Sequence, residues 1–162
     1  MIRNAKKEDS LDIGTVYYLS WKEAYNDIVP SAFLNALTPE KCAPRRINSN
    51  ENFVSEKNDK IIGHTNFGSS RDISDKNFGE LRSIYVLTKY WGSSAGRKLF
   101  DAVSAEIKTK GYDGFFLWVL KENNRAKRFY EKMNMKSANI ERKITIGGKD
   151  LIEVKYEITF IS

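Results

Sequence analysis

The sequence has little cysteine and no long apolar run. Its single cysteine, Cys42, cannot form an internal disulfide, which fits a reducing compartment. No apolar run approaches the roughly 20 residues that span a bilayer, and the N-terminal stretch MIRNAKKEDS lacks the apolar centre of a secretory signal. We therefore expect a cytoplasmic protein that does not bind a membrane. The chain also lacks internal repeats, low-complexity tracts and any linker rich in Pro, Gly and Ser.

Length and composition fit one folded unit. The chain has 162 residues, of which 41% are hydrophobic, with nine Phe, eight Tyr and three Trp. This composition excludes a disordered tail. The length suffices for one domain with a hydrophobic core and is short for two. We expect a single domain over residues 1–162.

Hydrophobic periodicity and turn residues predict alternating strands and helices. The predicted strands are Ile2–Ala5, Phe53–Glu56, Ile61–Phe67, a segment containing Leu81–Val86, Phe115–Leu120, Ala138–Ile146 and Leu151–Phe160. The predicted helices run from Asp9 or Ser10 to about Ala24, over Ser31–Leu37, after Pro39, from Ala95 to a stop at Gly111, and over Asn124–Met133. A hairpin region combined with a βαβ crossover predicts an α/β (α+β) fold, with a mixed, mostly antiparallel central sheet and helices on both faces.

The segment WGSSAGRKL (91–99) joins a predicted strand to a helix through a turn of small residues. Backbone N–H groups at a helix start bind phosphates, because they point at the ligand and carry the positive end of the helix dipole. Small side chains let the ligand approach that backbone closely. The alternative is an ordinary helix start with small capping residues. A Walker-type loop does not fit, because Gly92 and Gly96 are too close together and no Ser or Thr follows Lys98.

A second segment, ENNRAKRFYEKMNM (122–135), follows the next predicted strand and opens another helix. Together with the turn at residues 91–99, this segment resembles the two core motifs of the GNAT superfamily, the acetyl-CoA-dependent N-acetyltransferases. The string NNRAKRFYEK (123–132) matches the family pattern throughout, and the resemblance covers nearly the whole chain. It implies the GNAT fold and direct transfer, in a ternary complex, of acetyl from acetyl-CoA to a primary amine of a small molecule or peptide. It implies no metal.

The resemblance also implies which residues bind the co-substrate. The main chain of one strand pairs with the pantetheine arm, the turn binds the phosphates, and the second motif contacts the arm or a phosphate. These residues are Ile84, Tyr85, Val86, Trp91, Gly92, Ser93, Ser94, Ala95, Gly96, Arg97, Asn123 and Lys132. Two of them depart from the family pattern, because Trp91 replaces Gln or Arg and Ser94 replaces Gly. Lys132 is equally interpretable as a solvated lysine.

An acid and a base follow from the same resemblance. Tyr130 is placed to protonate the departing thiolate, since a phenol of pKa about 10 is a workable acid for a thiol of pKa about 8.5. Its alternative role is as part of the helix core. A primary amine has a pKa of about 10.4, so some group must take its proton. Glu80 is the candidate base, directly or through water, and is alternatively an exposed edge carboxylate. His64 is a weaker candidate.

The amine pocket is expected near the first helix. Trp21 and Tyr25 lie four residues apart on one helix face and are candidates for its wall. Two aromatic residues at that spacing are also typical of a core. Cys42 lies in an early loop far from both motifs, so no acyl-enzyme nucleophile is expected.

The net charge of +6 favours anionic partners. Nucleic acid requires a basic stripe with aromatic residues placed to stack, whereas the lysines here are spread along the chain among Asp and Glu. Coenzyme A, with three phosphates, needs only a local basic rim, and solvated surface charge is an equal alternative. We expect an amine acceptor and no nucleic acid as partners. A non-catalytic acyl-CoA-binding sensor and a small basic nucleic-acid-binding domain remain as competing functions, and a homodimer is left open.

Overall fold

The computed structural model describes residues 1–72 and 75–160. Within them, one sheet contains the strands β1 (Ile2–Asn4), β2 (Asn52–Lys57), β3 (Lys60–Ser69), β4 (Phe78–Val86), β5 (Gly114–Leu120), β6 (Lys136–Ile146) and β7 (Lys149–Thr159). The helices are α1 (Ser10–Ala24), α2 (Ser31–Asn35), α3 (Pro39–Cys42), α4 (Ala95–Thr109) and α5 (Asn124–Lys132). The predicted elements are confirmed in kind and in order, with ends that differ by a few residues.

The strands lie in the order β1-β2-β3-β4-β5-β7-β6. Each neighbouring pair is antiparallel except β4 and β5, which are parallel and connected through α4. This arrangement confirms the predicted mixed, mostly antiparallel sheet. The crossover through α4 places β4 and β5 next to each other, paired at their first residues, and both sequence motifs begin where these strands end.

Helices cover both faces of the sheet, as predicted. On one face α4 and α5 pack over β5 in a core that includes Leu99, Phe100 and Phe115. On the other face α1 packs over β3 and β4. The end of α1 and α2 meet β5 and β7 in a cluster that contains Leu34 and Leu120. Among the described helices none is both long and apolar enough to cross a membrane.

A bulge in β4 opens the centre of the sheet. The pairing of β3 with β4 shifts by one residue, so that Leu81 and Ser83 pair with β3 and Arg82 is extra. An extra residue bends its strand and interrupts the ladder. The pairing of β4 with β5 runs only from Phe78 to Glu80, and beyond that point the two strands are no longer hydrogen-bonded to each other.

Two asparagine-containing turns explain why local sequence predicted the boundaries well. Asn58 and Asp59 have φ values of 51° and 61°, as a two-residue type I′ hairpin turn requires. Asn134 has a φ of 67° and ends α5 in the left-handed conformation that Gly or Asn normally supplies.

Candidate active site

A cleft of about 570 Å³ lies where β4 and β5 separate. Its walls come from the end of β4, the end of β5, α1, the turn before α4, the first turns of α5 and the β6–β7 hairpin. We call this space the cleft throughout. It brings together residues that are more than 100 positions apart in the sequence, such as Trp21 and Tyr130.

The cleft collects most of the residues that the sequence singled out. Those that line it are Trp21, Tyr25, Ile84, Tyr85, Val86, Trp91, Gly92, Ser93, Gly96, Asn123, Tyr130 and Lys132. Ser94 and Arg97 are exposed beside its mouth, and Ala95 is buried beneath it. Glu80 is buried but does not line the cleft.

The turn before α4 presents backbone donors to the cleft mouth. The N–H groups of Gly92, Ser94, Gly96 and Arg97 have no hydrogen-bond partner within residues 1–72 and 75–160. Gly92 has a φ of +79°, a left-handed conformation that allows the chain to turn between β4 and the helix. Clustered free amides at a helix start suit an anion such as a diphosphate. The Ser94 side chain forms no capping hydrogen bond, so its hydroxyl remains an additional donor.

Gly96 stands on the first turn of α4 facing α5. A Cβ built on Gly96 would lie 3.4 Å from the ring of Phe129 and 3.9 Å from a methyl of Val86. A Cβ would therefore just fit in contact with Phe129, and a larger side chain would crowd the space between α4 and α5.

Trp91 ties the turn to the end of β4. Its indole Nε1 donates a hydrogen bond to the carbonyl oxygen of Val86 at 2.8 Å. The guanidinium of Arg125 stacks on the Trp91 ring, 2.9 Å from the ring centroid. Burial lowers the pKa of Arg125 from its usual value, with repulsion from Arg128 adding to the effect. The tryptophan at this position therefore places a cation at the cleft wall, next to the free amides.

Tyr130 lies on α5 with its ring against Phe129 and Tyr156. It lines the cleft, and its hydroxyl makes no hydrogen bond to any described residue. Burial raises the pKa of Tyr130 above its usual value, so the phenol keeps its proton through the physiological pH range. This is the protonation state that a proton donor needs. Phe129 packs against Phe100.

Asn123 precedes the first turn of α5 and caps it. Its Oδ1 accepts a hydrogen bond from the backbone N–H of Ala126 at 3.2 Å, which is the usual role of an Asn at a helix start. The Asn123 side chain also acts on the phenol of Tyr25, where it lowers a pKa that burial raises. Asn123, before the first turn of α5, and Tyr25, at the end of α1, both line the cleft.

Trp21, Tyr25 and Tyr85 form an aromatic wall between α1 and β4. The Trp21 indole donates a hydrogen bond to the hydroxyl of Tyr85 at 2.9 Å. The rings of Trp21 and Tyr25 meet edge to face, with centroids 4.6 Å apart. Both residues line the cleft, and both also pack against the cluster around Leu34. Trp21 and Tyr25 are therefore both part of the core and part of the cleft wall, so the two interpretations drawn from the sequence are compatible.

Glu80 is bound to Arg71. Its carboxylate is 3% exposed and accepts hydrogen bonds from the backbone N–H of Arg71 at 3.1 Å and from Nη2 at 2.6 Å. Burial alone would raise the pKa of Glu80, but the hydrogen bonds from Arg71 outweigh it and hold the pKa below its usual value. Glu80 is therefore not the exposed edge carboxylate that was the alternative interpretation of the sequence. It is ionised at neutral pH.

His64 lies outside the cleft in a structural environment. Its Nε2 is 2.8 Å from Oδ1 of Asn52, and burial lowers its pKa to about 4. A histidine that is neutral at pH 7 and buried away from the cleft fits the expectation of a structural role. No group of three or more His, Cys, Asp or Glu among the described residues is arranged to hold a metal ion.

Sequence reasoning missed four charged residues of the cleft, Arg82, Arg125, Arg128 and Glu153. Arg125 lies two positions after Asn123 inside the second motif, and this position could have identified it as a residue of the cleft. Glu153 lies on β7, in an alternating strand with no motif around it. Only the strand order, which inserts β7 beside β5, brings Glu153 to the cleft.

Comparison with known proteins agrees with this geometry. The model of the acetyltransferase (GNAT) family matches residues 16–135, which include both motifs. The chain is 31% identical over 126 residues to YuaI of Bacillus subtilis (strain 168), an uncharacterized N-acetyltransferase, and the match covers 75% of this chain and 72% of that protein.

Solved structures share the fold. An N-acetyltransferase from Staphylococcus aureus Mu50 superposes with a TM-score of 0.72 at 23% identity, over 98% of this chain and 97% of the other. The PaiA N-acetyltransferase of Thermoplasma acidophilum, solved in complex with coenzyme A, superposes with a TM-score of 0.75 at 22% identity, over 99% and 98% of the two chains.

Proposed function

The chain belongs to the GNAT acetyltransferase family and is an acetyl-CoA-dependent acetyltransferase, and we propose that it acetylates a primary amine of a small molecule or peptide by direct transfer in a ternary complex. The observation that carries this proposal is the common position of the free amides and the Tyr130 phenol. Both face one cleft, at the point where β4 and β5 separate.

The residues present fit acetyl-CoA. Unpartnered N–H groups at Gly92, Ser94, Gly96 and Arg97 suit the diphosphate. Each contact with the helix dipole contributes about 0.3–1 kcal/mol, so several in parallel give useful affinity. The co-substrate contributes an acetyl group activated as a thioester.

The pantetheine arm and the remaining phosphate of the co-substrate are proposed to contact main-chain groups and side chains of the cleft. The residues proposed to bind it are Ile84, Tyr85, Val86, Trp91, Ser93, Ala95, Asn123 and Lys132. The segment of β4 beyond Glu80 has no partner strand on the side of β5 among the described residues, so its main chain is available to an extended ligand. Lys132 lines the cleft, which supports the phosphate role over a purely solvated one.

Direct transfer requires a neutral amine beside the thioester. The amine nitrogen loses a proton and bonds to the acetyl carbon, the carbon–sulfur bond breaks, and the leaving thiolate takes a proton. Holding both reactants in one cleft supplies much of the rate without a covalent enzyme intermediate. We propose that Glu80 receives the amine proton through water. Its ionised state supports this role, and its position outside the cleft lining means that contact is indirect.

Tyr130 is proposed as the proton donor to the thiolate. Burial raises the pKa of the phenol, and the same apolar surroundings raise the pKa of a thiol bound there, so the two groups stay close in acidity. Transfer between groups of similar pKa has a small driving force in either direction and suits general acid catalysis.

The test is transfer by the purified protein from acetyl-CoA to a panel of primary amines, followed as released thiol and as acetylated product by mass spectrometry. The proposal predicts equal amounts of thiol and acetylamine. A protein that binds acetyl-CoA in calorimetry but releases no thiol with any amine is the non-catalytic sensor instead.

A further inference from the structure

Glu153 is the only Asp or Glu among the described residues that line the cleft. The other charged residues of the lining are basic: Arg82, Arg125, Arg128 and Lys132. Basic groups suit the phosphates of the co-substrate, whereas a carboxylate does not. Glu153 therefore belongs with a different, cationic ligand.

One oxygen of Glu153 is fixed and the other is open. Oε1 accepts a hydrogen bond from Nε of Arg142 at 2.8 Å, and Oε2 accepts none from the described residues. The Arg142 guanidinium in turn stacks on Trp118, 4.1 Å from the ring centroid. The Glu153 side chain is 15% exposed, so the carboxylate is held in one orientation at the cleft wall rather than moving freely in solvent.

The surface around Glu153 is apolar. Leu120 is its direct neighbour on β5, and both belong to the end of the cleft that Trp21, Tyr25, Ile144 and Ile146 also line. Leu120 packs in one cluster with these four side chains. A ligand that occupies this end meets hydrophobic walls and a single negative charge.

This end of the cleft adjoins the proton donor. Glu153, Tyr25 and Tyr130 all line the same cleft. A cation held by Glu153 therefore stands close to the place where the thiolate is proposed to be protonated.

We propose that Glu153 binds the ammonium group of the acceptor through Oε2, and that the acceptor is a monoamine with an aromatic or branched apolar body. The proposal rests on the acetyltransferase function proposed above and names its substrate class. One carboxylate matches one ammonium. A polyamine would place its further ammonium groups among apolar walls and four basic residues, where no carboxylate neutralises them.

The test compares three variants with 2-phenylethylamine and spermidine as acceptors. Glu153→Gln removes the charge and keeps the shape. Glu141→Gln is the matched control, because Glu141 is an exposed carboxylate of the same hairpin that pairs with Lys121 outside the cleft lining. Arg142→Gln breaks the ion pair of Glu153 but leaves the carboxylate in place.

For 2-phenylethylamine, Glu153→Gln should raise the KM about tenfold or more, because a lost charged hydrogen bond weakens binding. Glu141→Gln and Arg142→Gln should not raise that KM. Calorimetry with protein saturated with coenzyme A should show the same loss of 2-phenylethylamine affinity in Glu153→Gln alone. Wild type should use 2-phenylethylamine with a higher kcat/KM than spermidine.

Three results would overturn the inference: an unchanged KM in Glu153→Gln, an equal rise in Arg142→Gln, which indicates a structural ion pair, or a preference for spermidine. Acetyl-CoA binding is measured on each sample. If wild type does not bind acetyl-CoA, the proposed function fails. If binding and transfer are normal while the variants behave alike, only the assignment of Glu153 fails.

Discussion

The indole of Trp91 donates a hydrogen bond to the carbonyl oxygen of Val86 at 2.8 Å and so joins the turn before α4 to the end of β4. The family pattern has Gln or Arg at this position. In this protein the guanidinium of Arg125, a residue of α5, stacks on the Trp91 ring. A cation therefore still lies beside the free amides. The departure from the motif changes which residue supplies the charge and leaves the backbone donors in place.

Trp91→Phe and Trp91→Ala separate the two roles of the indole. Phe removes the donor to Val86 and keeps a ring for Arg125, so we expect a loss of about 0.5–1.5 kcal/mol in the free energy of unfolding. Ala also removes the stack, and the affinity for coenzyme A should fall further by about 0.5–2 kcal/mol. Urea unfolding and calorimetry measure the two effects. Equal affinities in both variants would show that the Arg125 stack does not assist binding.

Gly96→Val should weaken coenzyme A binding about tenfold or more, because the added methyl groups meet Phe129 and occupy the space beside the amides. Calorimetry measures the affinity. Ala105→Val is the control, since Ala105 is an exposed residue of the same helix and reports only the cost of a β-branched side chain there. Intact affinity in Gly96→Val would mean that the phosphates bind elsewhere.

Tyr130→Phe should lower kcat about 100-fold or more and change the affinity for acetyl-CoA little, because it removes a proton donor and keeps the ring. Steady-state kinetics across pH measure both quantities. Tyr156→Phe is the control, since the Tyr156 ring neighbours that of Tyr130 but Tyr156 does not line the cleft. An unchanged kcat at every pH would remove Tyr130 from the chemistry.

Arg71→Gln should change how stability depends on pH. The pKa of Glu80 is below its usual value in the folded protein, so its ion pair stabilises the fold above a pH of about 4.3, and this stabilisation is lost as the pH falls through the folded pKa. In the variant, burial without Arg71 raises the pKa of Glu80. The variant should therefore be less stable than wild type at pH 7, with a difference that shrinks on acidification.

Urea unfolding between pH 3 and pH 7 measures this difference, with Arg46→Gln as the control, because Arg46 is exposed and has no ion pair among the described residues. If Glu80 takes the amine proton, the acidic limb of kcat/KM should also move to higher pH in Arg71→Gln. A limb that stays in place would exclude Glu80 as the base.

The fold was predictable because its signals are local. The turn at Asn58 and Asp59, the helix end at Asn134 and the strand-to-helix junction at Gly92 each depend on a few adjacent residues. The same holds for the cap at Asn123 and for Tyr130 seven residues later, which lie on one short helix. Local rules therefore located both motifs and most of the cleft lining.

The unpredicted features depend on long-range contacts. Arg71 reaches Glu80 from a loop, and no pattern in the sequence indicates that pairing. Glu153 reaches the cleft only because β7 lies between β5 and β6. The bulge at Arg82, which opens the cleft, is likewise visible only in the pairing of β4 with β3. Periodicity predicts which elements form, but not their neighbours in the sheet.

The most direct measurement is a titration of ¹⁵N-labelled protein with acetyl-CoA, followed by amide chemical shifts. The account predicts saturable shifts of the Gly92, Ser94, Gly96 and Arg97 amides, together with new signals from an acetylated amine when an acceptor is added. Amide resonances of residues 92–97 that stay unchanged at millimolar acetyl-CoA would contradict it.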